Sequence, residues 1–154
     1  RNTKYVKDQI TWQEKINEGL ERQAKLTSNV NDKLSLQKDI IDGNDTKREL
    51  YQKQKDNAHR NVLDILNSDD KDYQEVLKQF QSVEPWFDAT GEFSAQYEAD
   101  LARLGASTPK LVPYMKQIAS LIQVYKKAWY EADNEMQQTL DDTASRIDEV
   151  YATN

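Results

Sequence analysis

From Leu111 to Met136 the apolar residues fall at alternating steps of four and three: Leu111, Met115, Ile118, Ile122, Tyr125, Trp129, Ala132 and Met136. That spacing keeps one face of an α-helix apolar for three and a half heptads, and it fits no strand, whose faces alternate every second residue. Thr108 and Pro109 precede the run. They supply a capping residue and a proline at the first helical position, where its missing amide hydrogen breaks no bond; Pro113 leaves the start open. Past Met136 the apolar residues continue as Leu140, Ala144, Ile147 and Tyr151 after an extra step of four, which reads as a stutter in the seam. The helix so predicted is roughly 65 Å long, at about 1.5 Å for each of about 43 residues.

A chain carrying such a helix needs other helices to cover its seam. The spacing predicts a first helix over Thr3–Ile41, with apolar pairs at 6/10, 16/20, 26/30 and 36/40. Ten residues fall about 80° short of three turns, so its buried face is expected to rotate. Asp42-Gly43-Asn44-Asp45 reads as the turn that ends it, glycine permitting a left-handed stop. A second helix is predicted over Asp45–Asn67, with Tyr51, Ala58, Val62, Ile65 and Leu66 as its stripe. Asn67-Ser68-Asp69-Asp70 breaks it, and Ser68 or Asp70 caps a third helix with Tyr73, Val76, Leu77 and Phe80 on one face. Glu84-Pro85-Trp86 stops the third, because Pro85 lacks an amide donor. A fourth fits Glu92–Leu104, closed by Gly105. An unbroken helix from Asp45 to Val83, giving a three-helix rod, is the alternative.

The expected fold is therefore all-α: one elongated antiparallel helical bundle over residues 1–154, with long first and last helices. Its upper half is four-helix and its lower half a two-helix stalk, with both chain ends together at the bottom. Composition agrees, since only 37% of the 154 residues are apolar and 48 are charged, as suits a thin core under much surface. The net charge of −6 divides unevenly: residues 1–60 carry 13 basic and 10 acidic groups, residues 61–154 carry 8 and 17. Solvated, mutually attracting helix faces account for this, with a partner-binding basic surface as the other reading.

Several chemistries are excluded. With no cysteine and one histidine there is no disulfide frame, thiol catalysis or Cys/His zinc site. The acidic balance argues against nucleic acid as a partner, and four glycines leave little for phosphate-cradling loops. His59 has no triad or ligand set patterned around it and reads as a surface histidine. Asp69, Asp70 and Asp72 lack the glycine and distal glutamate of a calcium loop and read as helix caps. No Glu-x-x-His accompanies the bundle, against a di-iron centre. Consecutive or alternate carboxylates such as Asp141/Asp142 and Glu131/Asp133 do not converge on a point. Asn44-Asp45-Thr46 matches a glycosylation pattern by chance. No enzyme and no cofactor is expected.

What remains is the aromatic concentration. Trp86, Phe87, Phe93 and Tyr97 surround one turn, Tyr125 and Trp129 lie on the last helix, and Arg103 and Lys110 flank them. Trp86, Phe87, Phe93, Tyr97 and Arg103 are the candidate ligand-binding residues; a core plug or a protein interface is the competing reading. In helix lengths and co-located ends the layout resembles the extracytoplasmic sensor domains of bacterial chemoreceptors and histidine kinases. The resemblance covers the whole chain, matches no motif and transfers no functional residue. It implies a non-enzymatic, extracytoplasmic module that binds a small molecule or partner protein and is tethered to a membrane outside this segment. Separately, a two-helix stalk buries little by itself, so a homodimer that makes it four-stranded is expected. Secreted helical lipoproteins of Gram-positive bacteria share such long-helix layouts. They imply the alternative, a structural or assembly protein acting through protein–protein contacts along its helix faces.

Overall fold

The computed structural model describes residues 3–153. Among them there are five helices: α1 (Thr3–Leu26), α2 (Val30–Leu66), α3 (Lys71–Leu77), α4 (Ala95–Ser107) and α5 (Val112–Thr153). Short 3-10 turns at Glu84–Trp86 and Pro109–Leu111 lead towards α4 and α5. The fold is all-α, and the only β feature among the described residues is an isolated bridge between Phe87 and Phe93. No helix among them is long and apolar enough to cross a membrane.

The chain divides into two compact units: Arg1–Asn57 with Ala132–Asn154, and Ala58–Glu131. The second unit holds the end of α2, then α3, α4 and the first half of α5. Its breaks fall where local chemistry places them. Asp70 caps α3, its carboxylate accepting from the amides of Asp72 and Tyr73 at 2.9 and 3.1 Å. The predicted interruption at 67–70 is therefore real, and the unbroken 45–83 helix is not formed. Ser94 caps α4 through the Tyr97 amide, so that helix starts three residues after Glu92 and runs past Gly105 to Ser107. Val76, Trp86, Met115, Ile118, Ala119 and Ile122 lie at the centre of an apolar core that Tyr97, Leu104 and Leu111 extend.

The first unit departs from the sequence reading. α1 ends at Leu26 and not at Ile41. The break is Thr27-Ser28-Asn29, where the Asn29 side chain accepts from the Asp32 amide at 3.1 Å and starts α2. Asp42-Gly43-Asn44-Asp45 is helical throughout. Gly43 is there for proximity and not for a turn: a Cβ on it would meet the side-chain ends of Asn17 and Gln13 of α1, so a larger residue would have to push the Asn17 amide aside. Leu26 and Val30, expected as a buried pair, flank the break and are exposed.

This relocated break changes the topology. Asn17 Nδ2 donates to Asn44 Oδ1, and Asn44 Nδ2 to Asp142 Oδ2. The Tyr51 hydroxyl lies between Glu14 and Glu135, and Arg146 bonds both Glu21 and Gln37. Rising positions on α1 (14, 17, 21) thus meet rising positions on α5 (135, 142, 146) and falling positions on α2 (51, 44, 37). The unit is a three-helix arrangement, α1 parallel to α5 and antiparallel to α2, in place of the expected two-helix stalk. Tyr5 and Tyr151 consequently lie at opposite ends of this unit, not together. The co-located ends on which the sensor resemblance rested are not formed.

The expected stutter is also absent. Burial on α5 continues through Ala132, Met136, Thr139, Thr143, Arg146 and Val150, the same four-three alternation without interruption. Leu140, Ile147 and Tyr151 are exposed instead.

Candidate functional site

The aromatic cluster singled out from the sequence is the interior of the second unit. Trp86 is fully buried, with Phe80 edge-on at 5.3 Å between ring centroids and Tyr97 at 5.7 Å. Phe93 stacks on Tyr97 at 4.4 Å and lies 5.6 Å from Phe87. The Trp86 indole donates to the buried Asp100 carboxylate at 3.1 Å. Gln96 and Arg103 satisfy the other Asp100 oxygen at 2.9 and 2.8 Å, and the Arg103 guanidinium also lies over the Phe80 ring. A buried charge needs such a full set of partners. Burial raises the Tyr97 phenol above its ordinary value, and the Glu98 charge adds to this. The structure therefore gathers Trp86, Phe87, Phe93, Tyr97 and Arg103 around one spot, but as packing and its polar clamp. Lys110, the other flanking base, is exposed.

A concavity lies on this same unit. Its volume is about 430 Å³, and Ala58, His59 and Val62 of α2, Tyr125, Lys126 and Trp129 of α5, and the 84–91 segment line it. The segment owes its shape to Asp88. The Asp88 carboxylate accepts from the Thr90 amide and hydroxyl and the Glu92 amide, at 2.8, 2.7 and 3.0 Å. The hydrogen bonds from Thr90 hold the Asp88 carboxyl below the usual range. Gly91 follows at φ +86°, a left-handed conformation that side chains disfavour. A Cβ there would meet the Lys127 backbone nitrogen at 2.9 Å, so the turn lies directly on α5. Gln123 donates to the Gly91 carbonyl at 3.1 Å, and Lys126 and Lys127 pair with Glu84 and Glu92. One wall of the cleft is thus pinned by hydrogen bonds and ion pairs at both ends.

Of the lining residues, the sequence singles out His59 and groups Tyr125 with Trp129, and it assigns Ala58, Val62 and Glu84 only to a helix stripe and a helix stop. Asp88, Ala89, Gly91 and Lys126 carry no such assignment. Asp88-Ala89-Thr90-Gly91 carried a signal for the turn, an aspartate able to bond its own backbone before a glycine, but not for what the turn faces. No family model, curated protein or solved structure matches the chain, so its chemistry rests on these residues alone.

The cleft offers an aromatic floor and polar edges. Lys126 holds Glu84, and Asp88 Oδ1 accepts three hydrogen bonds from its own turn. Among the described residues no group of three or more His, Asp or Glu side chains converges as a metal site. In the first unit, Asn44 of the Asn44-Asp45-Thr46 pattern is buried, and its side chain is bonded to Asn17, Asp142 and Thr143.

Proposed function

We propose that this chain is a non-enzymatic binding module whose second unit takes a small organic ligand with a flat, apolar body into the cleft between Trp129, Tyr125 and the 88–91 turn. The observation that carries the reading is the pinned 84–92 segment facing an incompletely covered indole: Trp129 is 40% exposed at a concavity whose wall is already ordered. An ordered wall lowers the entropy lost on binding, and the volume falls within the roughly 300–1,000 Å³ of small-molecule sites. Engaged carboxylates and the absence of a nucleophile beside His59 favour binding over catalysis.

A thermal-shift screen of aromatic and heteroaromatic metabolites against the full chain tests this. A binder should raise the Tm of the native chain, and the shift should vanish in Trp129→Ala and in Ala89→Tyr, which fills the mouth. Trp86→Ala is unsuitable here because it removes the core. A broad panel without one stabilising compound, or a shift indifferent to both variants, would sink the reading.

A further inference from the structure

Two apolar stripes of the first unit are left uncovered. On α1, Tyr5, Trp12 and Ile16 are 65%, 68% and 41% exposed. At about 100° per residue they lie within roughly 40° of one another, away from the face that buries Val6, Ile10 and Asn17. On α5, Leu140, Ile147 and Tyr151 are exposed beside the buried Thr139 and Thr143. They follow a four-three spacing through Ala144. A three-helix unit with a polar centre buries neither stripe.

The charges bordering the stripes are opposite. Among exposed residues of α1, Lys4, Lys7, Lys15, Arg22 and Lys25 outnumber Asp8 and Glu18. Among exposed charged residues of α5 beyond Ala132 there are only acids: Glu135, Asp141, Asp142, Asp148 and Glu149. The placement is finer than the balance. Lys15 and Arg22 stand seven apart on the N-terminal flank of the α1 stripe. Asp141 and Asp148 stand seven apart on the C-terminal flank of the α5 stripe. In parallel coiled coils these are the two flanks that face each other, where charge selects partner and orientation. Within one chain α1 already runs parallel to α5, so copies that point the same way present the two stripes in that parallel sense.

We infer that the first unit associates with a second copy of this chain through a heterologous contact, the α1 stripe of Tyr5, Trp12 and Ile16 packing on the α5 stripe of Leu140, Ile147 and Tyr151. Lys15 and Arg22 of one copy meet Asp141 and Asp148 of the other. Each copy carries both halves, so the contact repeats until a ring closes or a chain of copies grows.

Sedimentation velocity of the full chain over a range of concentrations, at low and high salt, is the test. Concentration-dependent association that weakens with salt is expected. The double variants Lys15→Glu/Arg22→Glu and Asp141→Lys/Asp148→Lys should each associate at least about tenfold more weakly than the native chain, since like charges then oppose. Mixed together they should recover association, because each restores the other's partner. Far-UV circular dichroism and thermal melts verify that the variants are folded, and the exposed substitution Trp12→Glu should also abolish association. A chain monomeric at all concentrations overturns the inference. So does association that survives Trp12→Glu, or charge-reversed variants that fail to complement while remaining folded.

Discussion

The two units bury different chemistry. The second is dry at its centre, where Trp86, Met115, Ile118 and Ile122 exclude water and the single buried carboxylate, Asp100, is enclosed by three donors. The first has a small apolar cluster of Val6, Ile10, Leu50, Tyr51 and Ala132 at one end. Below it comes a ladder of side-chain hydrogen bonds: Gln13 to Asn17 to Asn44 to Asp142, Arg48 to Thr143, and Arg146 across Glu21, Asp142 and Gln37. α5 contributes to both with an unbroken heptad. The period of a helix decides which positions face its neighbours, and apolarity decides only how those positions are satisfied. Where Thr139 and Thr143 occupy the seam, their hydroxyls bond back to the carbonyls of Glu135 and Thr139. The seam stays closed at little gain from burial.

The contrast is broken most severely from the dry side. Trp86→Ala removes a fully buried ring and leaves Asp100 without its indole donor, so it should cost about 3–5 kcal/mol in denaturant unfolding. Amide exchange should accelerate first in α4 and the start of α5. A loss under about 1 kcal/mol would mean that this core collapses around the gap.

Gly43→Ala probes the closest approach of the wet side. Alanine favours a helix by about 1 kcal/mol over glycine. Its methyl group must displace the Asn17 amide, and overpacking of this kind costs about 1–3 kcal/mol. A net loss is expected, and Asn17→Ala in the same chain should recover most of it. Additive losses in the double-mutant cycle would contradict the contact.

Titration probes the wet side next. Burial alone would raise the Asp142 carboxyl. Hydrogen bonds from Arg146 and Asn44, with the charges of Arg146 and Lys47, outweigh it and hold the group below its ordinary 3.8. A carboxyl depressed in the folded state stabilises above its unfolded value, and that contribution disappears as pH falls from there through the lower native value. The first unit should therefore weaken below about pH 4, and Asp142→Asn should flatten that part of the pH profile. The Tyr51 phenol has the opposite sign. Burial raises it well above its ordinary 10.0, with Glu135 and Glu14 adding to the shift. Its share of stability is complete below pH 10 and lost as pH rises beyond it.

Thr139→Val is the mildest change. The hydroxyl serves only the Glu135 carbonyl, already in the helix, so an isosteric apolar replacement should leave stability within about 1 kcal/mol and on the favourable side. Thr143→Val should be worse, because Asn44 and Arg48 both donate to that hydroxyl. Equal effects at the two positions would deny the ladder its specificity.

Much of the fold was legible along the chain. The break at 67–70, the cap at Asp70 (one of the two expected positions) and the core face of α5 through Ile122 are consequences of local chemistry, and they stand where the sequence places them. The third helix does not run on to a stop at Pro85: it ends at Leu77, Phe80 lies beyond it, and Pro85 sits within a 3-10 turn. The aromatic cluster was legible as a cluster. The cleft was not, because its residues come from three separated stretches and no spacing links Val62 to Gly91 or Trp129.

The errors share one cause. Gly43 with Asn44 and Asp45 has the composition of a turn, and Thr27-Ser28-Asn29 has the composition of a weak one. Local preferences separate the two by about 1 kcal/mol per residue at most. What tipped the balance was Asn17 across from Gly43, 26 positions away in the chain, and Asp142 bonded to Asn44, 98 positions away. The apolar pattern by itself determined that this chain is helical and which faces seek a neighbour, since periodicity is written into consecutive residues. Only the tertiary structure decided where α1 turns back, and with it that α1 runs parallel to α5. That choice depends on buried polar groups finding partners far along the chain.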